Sequence, residues 1–200
     1  MQPNTASDWI KLTANTLLEP KKCLRIVLNI VITMPQLIQA TVLAIVLSMI
    51  MPLITFMLQP TDAQDAMAGF AAKPISVFII QLLVLGGSAF LITIIGRFFG
   101  GHGTFKECLT AMIWLQVVMI LIQVVQFFIG FISSELSVLI FLISVGIMLY
   151  LIVHFISELH GFTRIMSVLF GVIASIFGLS FIVSILLAML GITPEVIQNV

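Results

Sequence analysis

The sequence predicts an all-α polytopic membrane protein in which five transmembrane helices follow an amphipathic, interfacial N-terminal segment. Hydrophobic residues make up 61% of the chain and charged residues only 8%, whereas a soluble domain carries about 25% charged residues. The few charges also divide the chain into long uncharged runs, each with room for the roughly 20 residues that cross a hydrocarbon core. Lipid is therefore predicted to be the main solvent of this chain.

The predicted spans occupy the uncharged runs. They lie near residues 36–58, 75–97, 108–130, 136–157 and 168–190. Pro74 suits the first turn of the second span, because the N–H that proline lacks has no helical partner there. Thr104, with Glu107 three residues later, predicts a capping box that opens the third span. Gly161 predicts a C-cap after the fourth.

The distribution of lysine and arginine predicts the orientation. If the N-terminus is cytoplasmic, seven of the eight basic residues fall in cytoplasmic segments and only Lys73 falls outside, as the positive-inside rule requires. Five spans then place the C-terminus on the periplasmic side of the inner membrane. The chain divides into a cytoplasmic N-terminal segment (residues 1–34), a membrane domain (residues 35–191) and an external tail (residues 192–200).

The N-terminal segment is predicted to contain two short amphipathic helices, the first capped by Ser7 and the second opened by Pro20. The polar residues of the second share one helical stripe: Lys22, Arg25, Asn29 and Thr33. Such a helix lies in the headgroup plane, with its cations facing anionic lipid. The alternative is that it extends the first span inward.

Further cations are expected beside headgroups on the cytoplasmic face. The full predicted set is Lys22, Arg25, Arg97, Lys106 and Arg164. The glycines between Arg97 and Lys106 also suggest a phosphate loop, but the G-x-x-x-x-G-K-[ST] pattern is absent. A tight turn before a capped helix accounts for these glycines.

Histidine and glutamate side chains at the cytoplasmic ends are weak candidates for a metal site. They are His102, His154, Glu158 and His160. The segment HFISELH does not match the H-E-x-x-H pattern of zinc proteases, and the helix dipole favours histidine near a C-terminus. A structural role is therefore favoured, and no metal or other cofactor is expected.

Three glutamines share one side of the third span: Gln116, Gln123 and Gln126. Amides within a bilayer usually bond to neighbouring helices, and Gln39, Gln81, Ser88 and Thr93 are the candidate partners. The alternative is a polar path for a solute. No charged residue lies deep in any predicted span, and such residues commonly mark ion or proton pathways, so helix bonding is favoured.

The fifth span carries small residues at intervals that allow close helix packing. Gly171, Ser175 and Gly178 form such a ridge. Its partner is another helix of the same chain or a second copy, and the sequence leaves this choice open.

Three segments together resemble the Yip family, the membrane proteins with a Yip-one domain that interact with Ypt/Rab GTPases. They are EPKKCLRI (Glu19–Ile26), GRFFGGHGTFKECL (Gly96–Leu109) and ELHGFTRIMSVL (Glu158–Leu169). The resemblance covers roughly residues 8–190 and is to the short bacterial members. It implies five spans, a cytoplasmic N-terminus and no enzymatic activity. In eukaryotic relatives it implies association with small GTPases and vesicle traffic.

These observations favour a non-catalytic membrane-organising or adaptor protein with a cytoplasmic interaction face. The expected partners are the lipid bilayer, a protein at that face and a second copy of the chain, but not nucleic acid. The alternative is a small transporter or channel for a solute or lipid that uses the glutamines of the third span. The sequence offers no paired carboxylates and no nucleophile–base arrangement, which argues against an enzyme.

Overall fold

A computed structural model of the chain describes residue 3 and residues 5–58 and 74–189, without the side chains of residues 55, 56, 58, 134 and 178–189. In this part of the chain the regular secondary structure is entirely α-helical, so the all-α prediction is confirmed. The helices are α1 (Ala6–Asn15), α2 (Pro20–Leu28), α3 (Met34–Leu58), α4 (Pro74–Phe98), α5 (Phe105–Gly130), α6 (Ser134–His160) and α7 (Ile165–Met189).

Four of the described helices are long and apolar enough to cross a membrane, namely α3, α4, α5 and α6. They match the first four predicted spans and begin a few residues earlier. Helix α7 coincides with the fifth predicted span, but its side chains are described only as far as Phe177. The chain is thus a multi-pass membrane protein, while the fifth crossing stays a prediction.

Local capping signals set the helix boundaries. The Thr104 side chain and the Glu107 carboxylate form the predicted capping box of α5. Gly161 ends α6 with φ of 71°, a left-handed conformation that glycine adopts at little cost. The prediction that Ser7 caps α1 is wrong. Thr5 is the N-cap, because its hydroxyl accepts the N–H of Asp8 at 3.2 Å and the Asp8 carboxylate accepts the N–H of Thr5 in return.

The chain forms two units, residues 1–162 and residues 163–200. The first unit contains α1 to α6, and within it α5 packs against each of the other five helices. Half of the α5 span is buried inside the protein, against 17% for α4 and for α6. The third predicted span is therefore the central helix of this unit. The second unit contains α7.

Helix α2 is separate from α3, so it does not extend the first span. It ends at Leu28, and five residues separate it from Met34, where α3 begins. Its apolar face packs against α5 and α6, with Leu24 fully buried and Cys23 and Val27 nearly so. Protein therefore covers the apolar face of α2, whereas lipid was the neighbour expected from the sequence. An orientation of α2 in the headgroup plane remains a prediction.

Candidate functional site: the basic end of the bundle

The basic end is the end of the first unit where α3 and α5 begin, where α4 and α6 finish, and where α1 and α2 pack. Four of the predicted headgroup cations lie there with exposed side chains: Lys22, Arg25, Arg97 and Lys106. Arg164 precedes α7 and belongs to the second unit, where its carbonyl accepts the N–H of Val168 at 3.3 Å. The basic end is the candidate interaction face.

Polar contacts join α2 to the last turn of α6. The Lys21 ammonium donates to the Ser157 hydroxyl at 3.0 Å, and that hydroxyl donates to the Phe162 carbonyl at 2.6 Å. The Arg25 guanidinium forms an ion pair with Glu158, whose side chain is only 13% exposed. This hydrogen-bonded carboxylate raises the pKa of Arg25. The contacts fix α2 in one position, since charge-assisted hydrogen bonds are directional as well as strong.

A second ion pair lies on the outer face of α2. The Lys22 ammonium is 2.8 Å from the Glu19 carboxylate, and the hydrogen bond between them raises the pKa of Lys22. Both side chains are more than half exposed, so this pair contributes little to stability. Lys22 is therefore able to exchange Glu19 for another anion at little energetic cost.

His160 fills a cradle of glycines at the basic end. Its ring is buried, and a Cβ built on Gly96 would lie 1.9 Å from Nε2. Cβ atoms on Gly101 and Gly103 would likewise lie 2.4 and 2.9 Å from the imidazole. The end of α4 and the turn before α5 thus need these glycines to make room for a side chain from α6. The sequence interpretation, a tight turn alone, missed this cause.

The His160 ring is held on its other sides by its own helix and by the residue after the cap. Nδ1 lies 3.2 Å from the Ile156 carbonyl, and the Phe162 ring stacks at 5.5 Å. Nε2 is buried without a hydrogen-bond partner. The imidazole therefore acts as packing that closes the turn against α6.

Tryptophan and threonine connect α1 to α5. The Trp114 indole N–H donates to the Thr16 hydroxyl at 3.1 Å, and Thr16 donates in turn to the Leu12 carbonyl. The Trp9 and Trp114 rings are 6.0 Å apart. No sequence pattern indicated this contact, although a tryptophan inside a span commonly has a partner for its N–H.

The basic end contains two of the segments that carried the family resemblance, Glu19–Ile26 and Gly96–Leu109, and the third segment as far as Phe162. The family model of the Yip1 domain matches residues 16–193 of the chain. The chain belongs to the Yip1 domain family. The match runs from Thr16, the partner of Trp114, across α2 to α7, so it includes the contacts of α2 with α6 and the glycine cradle of His160, whereas Trp9 lies before it. No curated protein and no solved structure matches the chain significantly.

The weak metal candidates of this Yip1-domain protein do not form one cluster. His154 Nδ1 lies 2.8 Å from the carbonyl of Tyr150, Glu158 pairs with Arg25, and His102 is exposed. Among the residues that the structure describes, no three His, Cys, Asp or Glu side chains are placed to hold a metal ion.

A hydrogen bond joins polar residues of two helices inside the Yip1-domain bundle. The Ser48 hydroxyl of α3 donates to Gln81 Oε1 of α4 at 3.0 Å. On α5, Gln123 Oε1 is buried without a partner, and Gln116 and Gln126 are partly buried. Bonding of these three glutamines between helices therefore remains a prediction.

The small residues of α7 are described only within their own helix. Ser175 donates its hydroxyl hydrogen to the Gly171 carbonyl at 2.7 Å. Gly178 lies where side chains are not described. The predicted close packing of this ridge stays a prediction.

Proposed function

We propose that this Yip1-domain protein is a non-enzymatic membrane-organising or adaptor protein of the inner membrane. Its chain crosses the bilayer five times, with the N-terminus and the basic end in the cytoplasm and the C-terminus in the periplasm. The basic end binds a protein partner, and α7 provides a ridge for a second copy. The observation that carries the proposal is the docking of α1 and α2 onto α5 and α6.

Docking turns a short N-terminal segment into a fixed surface. Burial of Leu24, Cys23 and Val27 excludes water from the α2 contact, and each apolar side chain buried in this way stabilises it by roughly 1.5–3 kcal/mol. The Arg25–Glu158 pair then sets the rotation of α2 about its axis. The exposed cations are consequently held in one arrangement before any partner arrives, which lowers the ordering cost of binding.

A pull-down in mild detergent tests the adaptor role. The full chain is compared with Lys22→Glu/Lys106→Glu, which reverses two exposed cations without removing a buried contact. Lys73→Glu is the matched control, since it reverses a cation in the loop predicted on the opposite side. We expect a cytoplasmic protein to co-purify with the parent and with the control, and to be lost from the double variant. Equal recovery from all three would contradict the proposal.

One observation favours the transporter alternative. The buried Gln123 Oε1 has no hydrogen-bond partner, and an unpaired amide oxygen in a membrane interior is costly. A polar solute that donates a hydrogen bond would remove that cost. Ligand-dependent thermal stabilisation of the parent that is absent from Gln123→Leu is the expected result if this alternative holds.

A further inference from the structure

The position of α1 and α2, measured along the axis of α5 from its first residue, suggests a second binding partner. Trp114 is nine residues from the start of α5, about 13.5 Å along the helix axis. Its side chain slants back toward the helix N-terminus, so the indole lies roughly 10 Å from the basic end. The Trp9 ring contacts this buried indole and is itself 38% exposed, and exposed tryptophan concentrates where acyl chains meet headgroups. Helix α1, which contacts the indole through Trp9 and Thr16, lies at the same level.

The outer surface of α1 and α2 combines large apolar side chains with cations. Ile10 is 62% exposed and Leu18 is 81% exposed. The Lys22 side chain is 72% exposed, and Lys11 is exposed beside Ile10. Apolar residues of this size are unfavourable in water but suit the acyl–headgroup boundary, where lysines reach phosphate groups. The same end of the bundle also carries exposed Lys106.

We propose that α1 and α2 form a binding surface for anionic phospholipid of the adjacent leaflet, with Ile10 and Leu18 among the upper acyl carbons. Lys11, Lys22 and Lys106 contact the headgroup phosphates. Lys22 contributes by exchanging its exposed Glu19 partner for a lipid phosphate. The lipid surface shares Lys22 and Lys106 with the proposed protein-binding face, but its occupant is lipid and no protein partner is needed.

The chain contains its own reporter for this site. Its only two tryptophans are the contacting pair, Trp9 and Trp114, so tryptophan fluorescence comes from the proposed surface. Bromine atoms on acyl chains quench tryptophan at short range. The full chain is reconstituted, without other proteins, in vesicles of phosphatidylcholine and phosphatidylglycerol. The lipid composition is held constant, and only the lipid that carries bromine changes.

We expect brominated phosphatidylglycerol to quench the pair about two- to fivefold more per mole than brominated phosphatidylcholine, because each cation near an anionic lipid surface favours binding. Lys11→Gln/Lys22→Gln/Lys106→Gln should remove the difference, whereas Lys73→Gln should retain it. Arg25 is left unchanged because its loss would leave Glu158 without its partner. An unshifted melting temperature shows that the triple variant is folded.

Equal quenching by the two lipids in the parent overturns the proposal, as does the absence of quenching by either. Neither result affects the adaptor role, since no protein partner is present in the vesicles. Conversely, equal recovery in the pull-down from the parent, the control and the double variant, with an intact lipid preference in vesicles, would remove the adaptor role and leave the lipid surface in place.

Discussion

The imidazole of His160 occupies the space in which a side chain on Gly96 would begin, with 1.9 Å between Nε2 and a Cβ built on that glycine. One residue is near the end of α4 and the other is the last residue of α6. The absence of a Cβ at Gly96 therefore determines how closely the end of α6 approaches the end of α4.

Gly96→Ala is expected to destabilise the protein. The new methyl group meets a buried ring, and overpacking of this kind costs about 1–3 kcal/mol. Thermal unfolding in detergent should show a lower midpoint for the variant. Gly146→Ala is the matched control, because a Cβ there meets nothing within 4 Å. The control should be neutral or slightly stabilising, since alanine favours helix over glycine.

His160→Ala provides the second half of this test. It removes the ring that the methyl group would strike, so Gly96→Ala should cost little in that background. A double-mutant cycle measures the coupling. Additive effects of the two substitutions would mean that the ring does not limit the space at Gly96.

Thr16→Val should destabilise the contact between α1 and α5. Valine keeps the shape of threonine but leaves the Trp114 N–H without its acceptor, and an unsatisfied buried donor costs about 1–3 kcal/mol. Thr41→Val is a close control, since Thr41 is also buried and its hydroxyl donates to the Leu37 carbonyl of its own helix. Unfolding midpoints that fall equally in both variants would contradict a specific role for the indole bond.

Cysteine labelling tests the position of α2 and has a defined pH dependence. Burial is the main factor that raises the pKa of the Cys23 thiol, so at neutral pH it holds less of the reactive thiolate than a free cysteine. In single-cysteine proteins, Lys22→Cys should react with a charged maleimide much faster than Cys23. The Cys23 rate should keep rising at pH values where the exposed site has levelled off. Equal rates and equal profiles would show that α2 is not docked.

Topology reporters test the fifth crossing. Four crossings return the C-terminus to the side of the N-terminus, whereas five place it opposite. A reporter that is active only in the cytoplasm should be silent at the C-terminus and active when inserted between Arg97 and Lys106. Strong activity at the C-terminus would show that α7 does not span the membrane in the predicted direction.

Replacement of Gln116, Gln123 and Gln126 by leucine distinguishes the adaptor function from the transporter alternative. Hydrogen bonds between membrane helices average about 0.6 kcal/mol and reach roughly 1–2 kcal/mol, so the triple variant of an adaptor should insert normally and unfold at a slightly lower temperature. A variant as stable as the parent that loses a small-molecule phenotype would favour the transporter instead.

The sequence predicts features with local causes. The limits of α3 to α6 follow from apolar runs, and the boundary at Thr104 follows from a side chain three residues away. The position of α5 at the centre of its unit was not predictable, because its glutamines made it the least apolar of the predicted spans. The same glutamines are compatible with burial, since α5 contacts protein over half of its span.

Local sequence patterns do not predict the contacts that stabilise the basic end. Arg25 and Glu158 are 133 residues apart, and Thr16 and Trp114 are 98 apart. The glycines of the turn were recognised, but their partner His160 comes from another helix. Spatial partners of this kind depend on how the helices pack, which periodicity and capping do not specify.

The long sequence separation of these contacts has a consequence for biosynthesis. Helices α1 and α2 leave the ribosome before the spans, yet Trp114 is made only after α3 and α4, and Glu158 only after α5 as well. Until then Leu24 and Val27, which are buried in the finished protein, have no protein surface to cover them. Docking of the N-terminal helices therefore coincides with completed insertion of α6. A nascent chain arrested before that point would present an uncovered apolar helix to chaperones and proteases.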